Sequence, residues 1–489
     1  MKRILTIASS IILMTGMLAA ANHYIRQGAT GNGSDWTNAL GQLPDKQVRG
    51  DTYYIADGTY PGMTASGRHS GTTRIVIKKA TPQDHGTDTG WDDAMGDGYA
   101  KFSGATIEYG YITIDGVTGG GPGSWDSGHG FWFHGSNRQV VYIREPSFSN
   151  AQLPGIEIRH AKFTTEASIG TIHGIRPNQT AVIAPKYEYL YFKDMWGNPF
   201  QNAGDKGVMI RYNLIDRMHK YGSQHLEAIQ QSSDNVSGTI VAYNIWKDCR
   251  GTGVLMLHGT GHKVYGNIFM WSENLGTTIN NGVIGTTSDG VASNVQIHNN
   301  TFIDMPVTFY STGTHAGHTA KNNIFVNTYD NRNVGIKEVN WGSVAHTHNY
   351  YFQAGTHNEG GSQEQATSHP FVKYSEFGGL TNDLHLAEAT SAGYTLAAEF
   401  NTDPEGLTRG ADGVWDRGAY EYTNTGVSWQ LAEGSWQAPA LPSLIYNCKL
   451  QTANCQLFSI QGQRVNDISR SGIYLVLMGD KLGKVTRVK

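Results

Sequence analysis

The sequence predicts an all-β solenoid, a parallel β-helix carrying a small C-terminal β-sandwich tail, and three observations predict it. The first is a repeat. Five segments share one pattern: Arg-Tyr-Asn213-Leu-Ile, Ala-Tyr-Asn244-Ile-Trp, Tyr-Gly-Asn267-Ile-Phe, His-Asn-Asn300-Thr-Phe and Lys-Asn-Asn323-Ile-Phe. A sixth, His-Asn-Tyr350-Tyr-Phe, keeps the frame and reads as having lost the Asn, so the spacings are 31, 23, 33, 23 and 27 residues. Self-similarity at this period marks a stacked architecture. The second is local pattern. Each unit adds further short β-type runs, such as Gly253-Val-Leu-Met-Leu257 and Gly282-Val-Ile-Gly285, without a sustained 3.6-residue period. Such a unit buries its apolar face only against copies of itself. The third is composition: 61 Gly, 14 Pro and 11% aromatic residues fit frequent tight turns and few helices.

The recurring Asn has a physical role in this reading. Stacked at one interior turn, each side-chain amide bonds the next and satisfies groups that would otherwise be buried bare.

Residues 1–21 read as a signal peptide: Lys2 and Arg3, an apolar run from Ile4 to Leu18, then Ala19-Ala20-Ala21. No later stretch is long enough to cross a membrane. The expectation is an exported monomer without membrane insertion. With 37 basic and 41 acidic residues, nothing marks a nucleic-acid partner. Cys249 reads as an apolar filler, while Cys448 and Cys455 are close enough in sequence to pair.

The β-helix is expected over 22–424. A first strand leads through a Gly-rich turn to a short helix near Trp36 to Leu43, then a strand at Thr52 to Ile55. Strands follow at Thr73–Lys78, Tyr111–Ile114, Phe131–Phe133, Val140–Ile143 and Gly155–Arg159. The acidic loop from Asp84 to Asp97 offers carboxylates for Ca²⁺, but its spacing matches no known calcium loop and a solvated loop is favoured. Residues 160–186 look irregular, a long loop over one face. Gly355 to Ser368 reads as a polar loop, 425–443 as a linker and 444–489 as the tail.

Two stretches carry a family resemblance. Gly-Asn-Gly-Ser-Asp-Trp36, followed by Gly-Asp-Thr-Tyr-Tyr-Ile-Ala-Asp-Gly-Thr-Tyr60, resembles the entry of right-handed parallel β-helix proteins of the pectate-lyase-like superfamily, whose first segments cap the stack. Asp412-Gly-Val-Trp-Asp-Arg-Gly-Ala-Tyr-Glu-Tyr422 looks like the motif that closes many such domains, with Trp and Tyr covering the last coil. The tail, with Ser471-Gly-Ile-Tyr-Leu-Val-Leu and a basic end, is similar to type IX secretion sorting domains. That resemblance implies a secreted or cell-surface protein; a small carbohydrate-binding or interaction domain is the other reading.

Chemistry is expected on an outer face, where side chains of neighbouring coils lie about 4.8 Å apart. The polar stretch Asp205 to His258 is richest. His225-Leu-Glu227-Ala-Ile-Gln230, with Leu257-His258-Gly259 one coil on, distantly resembles alginate and chondroitin lyases. There a Glu helps bind Ca²⁺, a Lys five residues on takes the proton alpha to the uronate carboxylate, and an Arg before His-Gly assists. This chain has Ser232 and Leu257 at the last two places. The base would then be His258, His225, His219 or Lys220, with Arg217, Lys220 and Arg250 neutralising the carboxylate, Gln230 contacting substrate, and Glu227 acting directly or holding Ca²⁺. Strict alternation from Ile229 puts Glu227 inward, where it would be a structural carboxylate. The expected partner is an acidic polysaccharide cleaved by β-elimination. A glycoside hydrolase pairing Glu227 with Asp216 or Asp248 is the runner-up, and a non-catalytic glycan-binding adhesin is the third reading. An enzyme should gather His225, Glu227, Arg250 and His258 in one groove; an adhesin should scatter them.

Overall fold

The computed structural model describes residues 20–422, apart from 68–70, 137, 146–151, 167–170, 178–181, 203, 220–225, 276–281, 287–289, 311–313 and 330–334, together with four backbone strands between 455 and 487. Three long sheets run the length of the stack. One has twelve strands, from Asn22–Ile25 to Ala345–Thr347; a second has twelve, from Gly58–Tyr60 to Glu364–Gln365; a third has eight, from Met63–Ala65 to Ile284–Gly285. A representative coil uses Met209–Arg211, turns at Asn213, continues through Leu214–Met218, crosses to Ile229–Gln230 and returns as Ile240–Ala242. Each of these strands pairs in parallel with its counterpart one coil later. The fold is therefore all-β, with the long parallel sheets of a β-helix solenoid.

The corner between the two twelve-stranded sheets explains the repeat. Asn213, Asn244, Asn267, Asn300 and Asn323 are each buried to 1% or less. Each Nδ2 donates to the Oδ1 of the next, at 2.9, 2.9, 3.0 and 3.1 Å. The backbone N–H of each rung donates to the same oxygen. The sixth segment has not lost its Asn. The rung is Asn349, whose Oδ1 accepts from Asn323 Nδ2 at 3.0 Å, while Tyr350 pairs with Ile324. The last spacing is thus 26, not 27. Glu359 closes the column, accepting from Asn349 Nδ2 at 2.8 Å and from its N–H at 2.9 Å. The residue before each rung takes a left-handed backbone: Tyr212 (φ 56°), Tyr243 (60°), Gly266 (63°), Asn299 (51°) and Asn322 (57°). Asn and Gly tolerate that region best, which is why both recur here.

Residues 160–186 are not one long loop. They contain strands Ala161–Thr165, His173–Pro177 and Val182–Ile183, and Lys186 opens another, Lys186–Glu188, so a further coil passes through this stretch. Trp36 to Leu43 is not helical either. Leu40 N–H donates to Tyr24 O at 2.8 Å and Gly33 N–H to Asn38 O at 2.7 Å, so this backbone is spent on sheet and turn bonds rather than on i→i−4 bonds. In the acidic loop, Asp92 caps the short 3₁₀ turn Asp93–Met95, Asp93 accepts from Trp91 Nε1, and Asp88 meets His85. Cys249 is a buried member of the core, as are Trp246 and Trp271.

The closing motif does not lie across the last coil. Residues 366–422 run back along the outside of the stack, partly over the second sheet and, through Leu396, Phe400 and Trp415, partly over Ala242, Tyr243 and Tyr265 beside the first. Phe371, Leu384, Leu386, Ala419 and Tyr420 cover Ile245, Ile268, Ile303 and Ile324. Trp415 Nε1 donates to Asn299 Oδ1 at 3.1 Å, and Arg417 donates to Asn349 O at 2.9 Å, pinning this segment to the Asn corner. In the tail, the described strands form a four-stranded antiparallel sheet. The proposed linker and Cys448 lie outside the described residues, so the Cys448–Cys455 pairing does too. Among the described residues, no helix is long and apolar enough to cross a membrane.

Candidate functional site

The eight-stranded sheet turns its outer face toward the polar side chains the sequence singled out. Its register aligns Ile175, Phe200, Ile229, Leu255 and Ile284 in one inward column. The residues just before three of them, Ala228, Val254 and Val283, are also in the core. Two consecutive inward residues break the alternation. Alternation therefore does not settle the side of Glu227; the bond from Asn198, which holds its place one coil earlier, to Gln230 sets this position beside an outward residue, but under cover.

One coil earlier, Asn198 occupies the place of Glu227. Its Nδ2 donates to Gln230 Oε1 at 2.9 Å, and Gln201 Nε2 donates to the same oxygen at 3.0 Å. His173 holds that place one coil earlier again and accepts from Asn198 N–H at 3.3 Å. Burial, helped by Arg176 and Arg138, lowers its pKa to about 4, so it is a neutral imidazole. Glu227 itself is 1% exposed, and among the described residues neither carboxylate oxygen has a hydrogen-bond partner. Burial pushes its pKa up to about 7, with Asn198 opposing only in part. A buried carboxyl without partners costs stability, and a native chain that keeps one calls for an explanation.

The turn from the second twelve-stranded sheet into this one carries two more of the expected residues. His219 stacks on Trp196, ring centroids 4.7 Å apart, and its Nε2 lies 3.2 Å from Asp194 Oδ1. Trp196 is two residues from Asn198. Arg250 is exposed, and the adjoining Gly251 packs against the Leu226 carbonyl so closely that a Cβ there would sit 2.0 Å from it. His219 and Arg250 thus border the end of the face where Asn198 and Glu227 stand.

Other expectations part from this arrangement. His258 lies one coil on and five positions further along the chain from the Glu227 place, on the order of 15 Å away. It is 6% exposed, with Nδ1 3.3 Å from Asp234, and its carbonyl accepts from His262 at 2.7 Å. Arg217 points to Asp248 and Glu273 at 3.8 and 3.5 Å. Asp216 and Asp248 both bind Lys247 Nζ at 2.7 Å, and Asp248 also accepts from Ser272 N and Oγ. They form an ion network beside the second sheet, not a carboxylate pair with Glu227. Leu257 is in the core, so an Arg at that place would have no route to substrate. Ser232 is tied to Asn202 Oδ1. Lys220 and His225 lie outside the described residues.

The donors at Glu227 do not fit Ca²⁺ well. The ion takes six to eight oxygens, commonly from several carboxylates. Here one carboxylate stands beside one amide, in surroundings that favour its neutral form. Among the described residues, no group of three or more His, Cys, Asp or Glu could hold a metal. Reading the sequence alone passed over Asn198, His173, Arg176, Trp196 and Asp194. The doubled apolar pairs Ala228-Ile229, Val254-Leu255 and Val283-Ile284 were the available signal. Comparison with models of known protein families returns no match, and comparison with curated proteins returns none either.

Proposed function

We propose that this chain is an exported carbohydrate-active enzyme, a polysaccharide lyase that cleaves an acidic polysaccharide at the outer face of the eight-stranded sheet. The observation that carries the reading is Glu227: a desolvated carboxyl, unpartnered, with a pKa near neutrality and set in a row of amides. A general acid at pH 7 needs that property. Elimination from a uronate needs three roles filled. Arg250 supplies the cation that neutralises the sugar carboxylate. His219, oriented by Asp194, takes the C5 proton. Glu227 is the acid assigned to the leaving O4 as the C4–O4 bond breaks and the C4–C5 double bond forms, a role that requires substrate binding to uncover its buried carboxyl. Gln230 and Gln201, both half-exposed, offer the amide groups that position sugar hydroxyls, and buried Asn198 holds Gln230 in place. The resemblance to pectate-lyase-like proteins and to type IX sorting tails supports export and substrate class, and no step is routed through Ca²⁺.

The hydrolase reading loses ground because Asp216 and Asp248 are engaged by Lys247. The test is incubation with a panel of uronate and neutral glycans, read by absorbance at 235 nm and by a reducing-end assay. New 235 nm absorbance, lost in Glu227→Gln and in His219→Ala, is the expected result. Reducing ends without that absorbance indicate hydrolysis. No product across the panel indicates a binder, and full activity in Glu227→Gln makes that residue structural.

A further inference from the structure

The outer face of the second twelve-stranded sheet carries a feature that this reaction does not use. Register places Lys101, Trp132, Lys162 and Tyr191 in one column across four successive coils. A parallel column two residues on holds His134, Thr164 and Lys193. Lys101 Nζ lies 4.1 Å from the centroid of the Trp132 ring, Lys162 Nζ lies 5.0 Å from it and 5.7 Å from that of Tyr191. Trp132 is itself fixed by a bond from Nε1 to Thr164 Oγ1 at 2.7 Å, which His134 Nδ1 also meets at 2.8 Å. The aromatic rings therefore hold the ammonium groups in place, lowering the entropy cost of presenting them.

The contrast with the first twelve-stranded sheet gives this row its meaning. There most outward cations meet an acid: Arg74 and Lys186 with Glu157 at 3.3 Å, Arg159 with Asp115 at 3.0 Å, Arg211 with Glu188 at 2.5 Å, while Lys321 lies over the Tyr394 ring at 3.7 Å. Among the described residues, Lys101, Lys162 and Lys193 form no ion pair, although Lys193 is exposed and the other two are half-buried. In a chain of net charge −4, two lysines held over aromatic rings in one file, with exposed Lys193 in the next, are not an average surface, even with Asp126 near Lys162 and Asp216 beside Lys193 in register.

We propose that this row is a second binding site, taking an extended acidic polysaccharide along the stack axis. Two coils separate Lys101 from Lys162, about 10 Å, the order of spacing at which a linear polymer repeats a carboxylate or sulfate. Tyr99, 50% exposed and edge-on to Trp132 at 5.1 Å, supplies an apolar ring for a sugar face beside the cations. A protein partner would need a broader apolar patch than this file presents. The proposal goes beyond the cleavage assigned to the eight-stranded sheet and stands or falls separately from it.

The test is affinity electrophoresis of the full chain through gels loaded with polygalacturonate, heparin or single-stranded DNA. The wild type is compared with Glu227→Gln, with Lys193→Gln and with the triple variant Lys101→Gln/Lys162→Gln/Lys193→Gln. We expect retardation by at least one glycan, reduced by salt, still present in Glu227→Gln, weaker in Lys193→Gln and reduced about tenfold or more in the triple variant. Lys193→Gln, at an exposed site, keeps the test valid if the triple variant is unfolded by circular dichroism. Retardation by glycan as strong in both lysine variants as in the wild type overturns the proposal, as does absence of retardation by either glycan. Lysine-dependent retardation by DNA alone overturns the polysaccharide assignment.

Discussion

Two corners of the same coil treat buried polar groups in opposite ways. At the Asn corner every rung both donates and accepts, and Glu359 caps the end of the column, with no carboxylate oxygen wasted. At the outer face of the eight-stranded sheet, Glu227 is as deeply buried as the Asn rungs, yet both its oxygens stand alone. The first arrangement buys stability. The second gives stability up, which a chain tolerates where the group does something else.

The comparison can be broken most forcefully at Asn267. Its Oδ1 accepts from Asn244, and its Nδ2 donates to Val241 O, Tyr265 O and Asn300 Oδ1. Asn267→Ala leaves several of these groups without partners and should cost about 4 kcal/mol in a denaturant titration. An effect below about 1 kcal/mol would mean the file of amides is not what holds the corner.

Glu359→Gln comes next, at about 3 kcal/mol lost. Burial alone would raise the Glu359 pKa, but bonds from His346, Asn349 and Tyr351 hold it at about 2. Its contribution is therefore complete above pH 4.5 and disappears as pH falls toward 2. The variant's melting temperature should converge on the wild type over that range.

Glu227→Gln should move the other way. Because folding raises this carboxyl to about 7, the wild type loses stability as pH rises from 4.5 to 7 and regains none above it. The variant escapes that loss and should gain about 2 kcal/mol at pH 8, short of the roughly 3 that the shift permits because an amide must still be buried. Little difference should remain at pH 4. A destabilised variant at pH 8 would place Glu227 among the structural acids.

The smallest effect is at His385, which stacks on Tyr420 and lies between Asp383 and Glu405 at 2.6 and 3.1 Å. Burial would lower its pKa, but the two acids raise it to about 10. This contribution is full below pH 6.5 and lost by pH 10. Partial exposure screens it to less than about 1 kcal/mol, measurable as a shallower decline of melting temperature with pH in His385→Gln.

Much of the fold was legible because a buried turn leaves the sequence little choice. An amide must recur wherever the coil bends inside, and five rungs could be read directly. The sixth was misplaced by one residue because Tyr350-Tyr351-Phe352 offers three aromatic candidates for one inward place; Tyr351 fills it, stacked on Phe325. Residues 160–186 escaped because Lys162 and Thr164 face outward on Ala161–Thr165 and no Asn rung announces that coil. The site was less legible for a related reason. Alternation assigns Glu227 inward, and only the bond from Asn198, in its place one coil earlier, to Gln230 sets the position beside an outward residue. Lys247 likewise cannot be known to occupy both Asp216 and Asp248 until two coils are laid together.

The return of residues 366–422 along the outside of the stack carries an implication for how the molecule is made. Ile245, Ile268, Ile303 and Ile324 form an oily stripe that the N-terminal 365 residues cannot hide by themselves. A ribosome delivers their cover only after the whole stack has been made. Until then the growing solenoid is sticky along one flank, and a chain stopped early would meet its own copies there before anything else.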